Sequence, residues 1–204
     1  MNISVCLATL NAEATLARCL DSARAVADEI VILDSGSVDR TPFIATEFNA
    51  RFIHHTAADG DARARAAQKA TRDWLLFLDA ADELTPALQQ ELAALKAAAP
   101  AAGGCQINVI KNFGGVEIRF GKHYPDPQLR LVQKVKANFD VGQHLTVSGA
   151  TPTLAGELIH HADPGLLHHP PPYRLLPALA NHFFNGGLKH GALGWQVSKL
   201  DARK

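Results

Sequence analysis

The chain has 204 residues, 47% of them hydrophobic and 20% charged, with Lys+Arg and Asp+Glu matched at 20 each. That length supports one domain with a sizeable core, and the balanced charge excludes a polybasic nucleic-acid-binding protein. Its three cysteines show no C-x-x-C spacing, their odd number argues against a disulfide framework, and no apolar run approaches the roughly 20 residues that span a bilayer. The first apolar run is short and lacks a basic start, so no secretory leader is expected and the expected compartment is the cytoplasm.

Ile3 to Thr9 reads as a first strand, and Asn11 is placed to cap a helix carrying Leu16, Cys19, Leu20 and Ala23 at helical spacing. Glu29 to Asp34 is a second, buried strand that ends in acid and runs into the polar turn Ser35-Gly36-Ser37. A short helix is expected to about Phe48, with Thr41 as cap and Pro42 as first residue. Arg51 to His54 is a third strand, and an Ala- and Arg-rich helix follows to about Thr71. The apolar run Trp74 to Leu78 then ends abruptly at Asp79, and Thr85-Pro86 opens the next helix with a cap and a proline at its first position.

This βαβαβαβ order predicts a parallel, doubly wound sheet over residues 1–100. Asp34 and Asp79 both sit at the carboxyl ends of strands, where open α/β sheets bind ligands. A carboxylate there can hold a divalent cation against a diphosphate, although it also fits a plain polar loop. Neither G-x-G-x-x-G after the first strand nor G-x-x-x-x-G-K-[ST] anywhere is present, which excludes a standard dinucleotide site and a P-loop.

After residue 100 the pattern changes. Cys105 to Phe113 alternates, Gly114-Gly115 makes a hairpin turn, and Val116 to Phe120 returns; Gln128 to Gln133 and Thr153 to Ile159 are further strands. This half, residues 101–169, is expected to be mixed or antiparallel. Lys111, Arg119, Lys122, Arg130, Lys134 and Lys136 outnumber Glu117 and Asp126 in it, a basic surface suited to an anion. Residues 170–204 begin with three prolines and then carry Leu175, Leu176, Leu179, Phe183 and Phe184 at helical spacing. Packing on the body is the default expectation for this tail, with dimerisation and peripheral contact with the inner face of a membrane as the alternatives.

The Thr9 to Glu13 segment, the block Asp28 to Thr41 and the block Trp74 to Leu84 resemble family-2 glycosyltransferases. Tyr124 to Leu131 and Leu158 to His161 are similar to the branch that includes lipopolysaccharide-core β-1,4-glucosyltransferases. The resemblance implies a GT-A fold: a Rossmann-type, mostly parallel sheet with helices on both faces, plus a smaller mixed acceptor half. It implies transfer of a sugar, with inversion, from a nucleotide-sugar donor, commonly UDP-linked, to a glycan or lipid-linked hydroxyl acceptor of the cell envelope. By the same resemblance Thr9, Asn11 and Asp34 surround the base and ribose, and Arg63 lies near the donor. Asp79 opens the D-x-D metal motif for magnesium or manganese, and His160 approaches the metal or diphosphate from the far side; Asp82, one position late for the motif, is the substitute ligand. Gln128 and Arg130 face the acceptor, and Asp126 is the candidate base.

The chain departs from the family pattern at several of these points. Ala81 replaces the second metal-motif carboxylate, Ala64 stands where Asn is common, Arg72 replaces a usual Gly, and Gly142-Gln143 replace a His-Glu pair. Ala81 cannot bind a cation, and Gln143 cannot act as a base. A second reading is therefore a degenerate glycosyltransferase that works as a binding or interaction module. A sugar nucleotidyltransferase ranks behind both, because Thr9 to Glu13 lacks that class's Gly-rich, Arg-containing loop.

Overall fold

The computed structural model describes residues 1–55, 62–98, 100–139 and 145–162. The tail helix expected at 173–184, its proline link and the Gly142-Gln143 pair lie outside the described residues. The described residues form two compact units, one within Met1–Asn108 and Pro127–Leu158, the other within Val109–Asp126 and 159–162.

The first unit begins with four parallel strands: β1 (Ile3–Thr9), β2 (Glu29–Asp34), β3 (Arg51–His54) and β4 (Trp74–Asp79). They are joined by α1 (Leu16–Ala23), α2 (Thr41–Glu47) and α3 (Ala62–Lys69). Apolar runs dictate this arrangement, since β1 and β4 are buried on both faces almost throughout. Cys6, Val31, Leu33, Leu75 and Phe77 pack in one cluster with Ala66, Ala67 and Ala70 at the end of α3. Small alanines let that helix lie close to the strands. Val5, Leu7 and Ile32 point to the opposite face and are equally buried.

Four further strands continue the hydrogen-bonded path: β5 (Asp82–Leu84), β6 (Gly104–Phe113), β8 (Pro127–Gln133) and β11 (Thr153–Ala162). The order is β3-β2-β1-β4-β8-β6-β11-β5. β8 runs antiparallel to both β4 and β6, so the sheet changes from parallel to antiparallel beside the strand that carries Asp79. Helix α4 (Pro86–Ala98) starts as expected, with Thr85 Oγ1 accepting the Leu88 N–H at 3.3 Å. Gly156 on β11 passes so close to this helix that a Cβ would lie 2.4 Å from Leu88 Cα. β9 (Ala137–Phe139) and β10 (Leu145–Val147) form a separate antiparallel pair.

In the second unit, the end of β6 pairs with β7 (Val116–Ile118) through the Gly114-Gly115 turn, where both glycines have positive φ. Phe113 and Ile118 form its buried nucleus, with Phe120 and Ala162 against them.

Two expected caps are corrected. Asn11 does not cap α1, whose cap position is Thr15; Thr41 is the first residue of α2 and makes no cap bond there. Both side chains bond to a different loop instead. Among the described residues, no helix is long and apolar enough to cross a membrane.

Candidate functional site

The register places Thr9 beside Asp34, and Ala8 beside Asp79, so β1, β2 and β4 end together on one edge of the sheet. The loops that follow β1 and β2 are clasped to each other. The Asn11 N–H donates to Ser37 Oγ at 2.8 Å, Asn11 Oδ1 accepts the Val38 N–H at 2.9 Å, and Thr41 Oγ1 accepts the Ala12 N–H at 2.8 Å. Asp39 and Glu13 extend the clasp by accepting the Glu13 and Arg40 N–H groups, each at 3.0 Å. Asn11 adopts φ 49°, which an asparagine tolerates better than most residues.

Asp34 sits beneath this clasp and is 0% exposed. Its oxygens accept from Thr9 Oγ1 at 2.9 Å, from the Gly36 N–H at 3.0 Å, from the Ser37 N–H at 2.7 Å and from the Ser37 hydroxyl. Burial opposes ionisation, but the Ser37, Thr9 and Gly36 donors outweigh it and hold the carboxyl below the usual aspartate range. Asp34 and Thr9 thus fix the loop backbone, while Asn11 is exposed at its rim.

The second cluster forms around Asp79. Arg63 reaches it from α3, with Nη2 3.1 Å from Oδ1, and Arg130 reaches it from β8, with Nη2 3.2 Å from Oδ2. Burial again works against the charged carboxylate, and Arg130 and then Arg63 overcome it, so the Asp79 carboxyl lies below its ordinary value. Asp82 faces inward. It is 0% exposed, its Oδ2 accepts the Asp79 N–H at 2.8 Å, and the same oxygen lies 3.5 Å from Arg130 Nη1. Arg130 also donates to the Phe77 carbonyl at 3.4 Å.

The ligand oxygens of Asp79 and Asp82 lie within 4.8 Å of each other, and hard carboxylate oxygens suit magnesium or manganese. This acidic pair fits a divalent cation by donor type. Each Asp79 oxygen already carries a guanidinium, however, and Ala81 adds no ligand.

Gln128 is half-buried on β8. Asp126 belongs to the second unit, where its carbonyl accepts the Val109 N–H at 3.0 Å and its carboxylate lies 3.9 Å from Lys111 Nζ. In the same unit, the Arg119 guanidinium lies over the Tyr124 ring at 5.5 Å. His160 is half-buried on the last part of β11, also in the second unit. Arg72 lies before β4 at the opposite end of the strands, where its N–H donates to Ser4 Oγ at 3.2 Å. That replacement therefore leaves the Asp79 edge unaltered. The sequence missed two features: the bracing of Asp34 by Ser37, and the place of Arg130 on Asp79. The first was signalled by the Asp-x-x-Ser spacing; the second appears only once β8 is laid against β4.

Parallel strands ending in acid, with clasped loops on one edge and an antiparallel strand inserted beside the last of them, define a GT-A-like α/β protein. The chain belongs to glycosyl transferase family 2, whose family model matches residues 4–151. It is 45% identical over 84 residues to a TPR repeat-containing protein of Synechococcus elongatus, covering 40% of this chain and 21% of that one. It is 43% identical over 91 residues to a PGL/p-HBAD biosynthesis glycosyltransferase of Mycobacterium bovis, covering 40% and 36%. Against an uncharacterized glycosyltransferase of Rickettsia typhi it is 33% identical over 91 residues, covering 44% and 31%. The chain thus spans 21% to 36% of the length of these curated relatives.

Among solved structures, S. aureus TarS superposes with a TM-score of 0.56 at 17% identity, over 90% of this chain and 44% of that one. Glucosyl-3-phosphoglycerate synthase of Mycobacterium tuberculosis superposes with a TM-score of 0.51 at 20% identity, over 80% and 73%. At these identities the likeness is one of fold.

Proposed function

We propose that this protein transfers a sugar, with inversion, from a nucleotide-sugar donor to a hydroxyl of a cell-envelope glycan such as lipopolysaccharide core. The observation that carries this reading is that a family-2 chain ends β1, β2 and β4 together, bringing Asp34 and Asp79 to one edge of its sheet. A UDP-linked hexose is the proposed donor; the mycobacterial synthase of similar fold was solved with Mn2+, UDP and its product, which supports that choice.

The nucleotide is assigned to the clasped loops after β1 and β2. Asn11 meets it from the exposed rim, while Thr9 and Asp34 hold the loop backbone in place. Arg63 is assigned to the diphosphate. The resemblance assigns a divalent cation to Asp79 and Asp82, and the two guanidiniums already on Asp79, with Ala81 in place of the second motif carboxylate, disfavour it there. His160 keeps the metal role that the resemblance implies. Asp126 is the proposed base: it takes the proton of the acceptor hydroxyl as that oxygen bonds to the sugar carbon and the sugar–phosphate bond breaks. Gln128 orients the acceptor. Arg130, expected at the acceptor, is reassigned to the donor side because its guanidinium is buried against Asp79. The tail from residue 170 is proposed as the segment that meets the membrane.

The test is release of nucleotide from a panel of nucleotide sugars, with and without truncated lipopolysaccharide core. Acceptor-dependent release from one donor is expected, and Asp126→Asn should cut it by about a hundredfold or more with donor affinity kept. A second reading, donor binding with little chemistry, is favoured by Ala81 and by the two arginines already on Asp79. Donor binding without release from any member of the panel would favour it.

A further inference from the structure

The charges around Asp79 are arranged in an order that a metal-centred site does not require. Asp79 and Asp82 contribute two negative charges, and Arg63 and Arg130 two positive ones, so the four side chains cancel. Both oxygens of Asp79 are engaged by guanidinium groups, at 3.1 and 3.2 Å. A cation arriving at Asp79 meets two positive charges already paired with that carboxylate, with no carboxylate at position 81 to offset them. A diphosphate meets no net negative charge from these four side chains and finds in Arg63 an exposed, fork-shaped donor suited to phosphate oxygens.

The two arginines differ in freedom. The Arg63 side chain is 47% exposed and stands on a helix at the edge. The Arg130 side chain is 5% exposed and is tied to Asp79, Asp82 and the Phe77 carbonyl, and its buried Nε has no hydrogen-bond partner among the described residues.

We propose that the donor's diphosphate is bound by arginine rather than through a metal: Arg63 turns from Asp79 to the phosphate oxygens, and Arg130 stays behind to keep Asp79 paired. Arg63 is then the binding residue and Arg130 a positioning residue. The proposal rests on the donor-site reading above, yet it can fail while that reading survives.

The test is calorimetric titration of the full chain with UDP and with inorganic pyrophosphate in the presence of a chelator, followed by UDP with Mn2+. Both ligands should bind without metal, and Mn2+ should raise UDP affinity by less than about fivefold, the low end of coupling between two linked ligands. Arg63→Gln should weaken both ligands by about tenfold or more, the worth of one charge-assisted hydrogen bond. Arg130→Lys, with its melting curve as a check on folding, should raise the response of UDP binding to Mn2+, a readout that a purely structural arginine would not move. UDP binding that appears only with Mn2+ would overturn the proposal and leave the sugar-transfer reading intact. Metal-free binding that Arg63→Gln does not weaken would also overturn it. Pyrophosphate binding without UDP binding would support the arginine site and remove uridine as the base. Failure of both ligands under every condition would remove the donor site itself.

Discussion

Asp82→Ala tests whether this carboxylate is a brace of the fold or a solvated ligand. Asp82 is fully buried, accepts the Asp79 N–H at 2.8 Å and faces Arg130 at 3.5 Å. Removing one partner of a buried pair costs about 3–5 kcal/mol when the other charge is left alone. Arg130 is not left alone, because Asp79 remains at 3.2 Å and the Phe77 carbonyl at 3.4 Å. That lowers the electrostatic loss to about 2 kcal/mol, and the lost backbone bond adds about 1 kcal/mol, for a total of about 3 kcal/mol. Asp82→Asn keeps an oxygen for the Asp79 N–H and gives up only the charge, so about half that loss is expected.

Urea unfolding followed by circular dichroism reads both. With a slope of about 2 kcal/mol per molar, the alanine variant should unfold about 1.5 M earlier than the parent and the asparagine variant about half as far. A loss below about 1 kcal/mol for Asp82→Ala would refute the reasoning, because it would approach the roughly 0.5 kcal/mol of an ordinary surface substitution.

Three further outcomes follow from geometry and burial. Gly156→Ala forces a Cβ to 2.4 Å from Leu88 Cα and 2.6 Å from Leu88 N, so helix α4 must shift; urea unfolding should register a loss of about 2–3 kcal/mol. Asp34 has a lowered folded-state pKa, so its contribution to stability is complete above the unfolded aspartate value near 4 and is lost as pH falls through the lower folded value. Asp34→Asn should therefore flatten the acid limb of a melting-temperature profile below about pH 4, and an unchanged limb would count against this account. Burial, aided by Glu29, pushes the Cys6 thiol up to about 12, and burial pushes Cys19 higher still, so a thiol reagent at about pH 8 should label neither until denaturant is added.

The parallel half was legible because β1, β2 and β4 announce themselves as apolar runs and two of them stop at an aspartate. The start of α4 was legible for a local reason: Thr85 and Pro86 satisfy the helix end within four residues. Asn11 and Thr41 were misread because their partners are Val38 and Ala12, 27 and 29 residues away, and loop-to-loop bonding competes successfully with capping. β5, β9 and β10 are three residues each, too short to carry a period. The position of Arg130 is a matter of register. Leu131 lies opposite Leu76, so the next step along the antiparallel pair brings Arg130 to Phe77 and its guanidinium to Asp79. No local pattern contains that step.

Ala81 bears most directly on what the site has become, and Ala81→Asp separates loss of a metal from loss of a site. The present quartet of Asp79, Asp82, Arg63 and Arg130 is neutral, so a fifth charged group would leave one uncompensated carboxylate among them. Without metal that surplus should lower stability slightly, since like charges are brought together in a half-buried turn. With metal the sign reverses, because a ligand that binds only the folded state stabilises it in proportion to its saturation. At about one hundred times its dissociation constant, Mn2+ would add about 2.7 kcal/mol, which for a chain of this size raises the melting temperature by roughly 5–10 °C. The parent, whose Asp79 is already saturated by arginine, should shift by far less. Equal shifts in the two proteins would mean that Mn2+ binds without regard to position 81, and the arginines would then be bystanders to a metal site that never decayed.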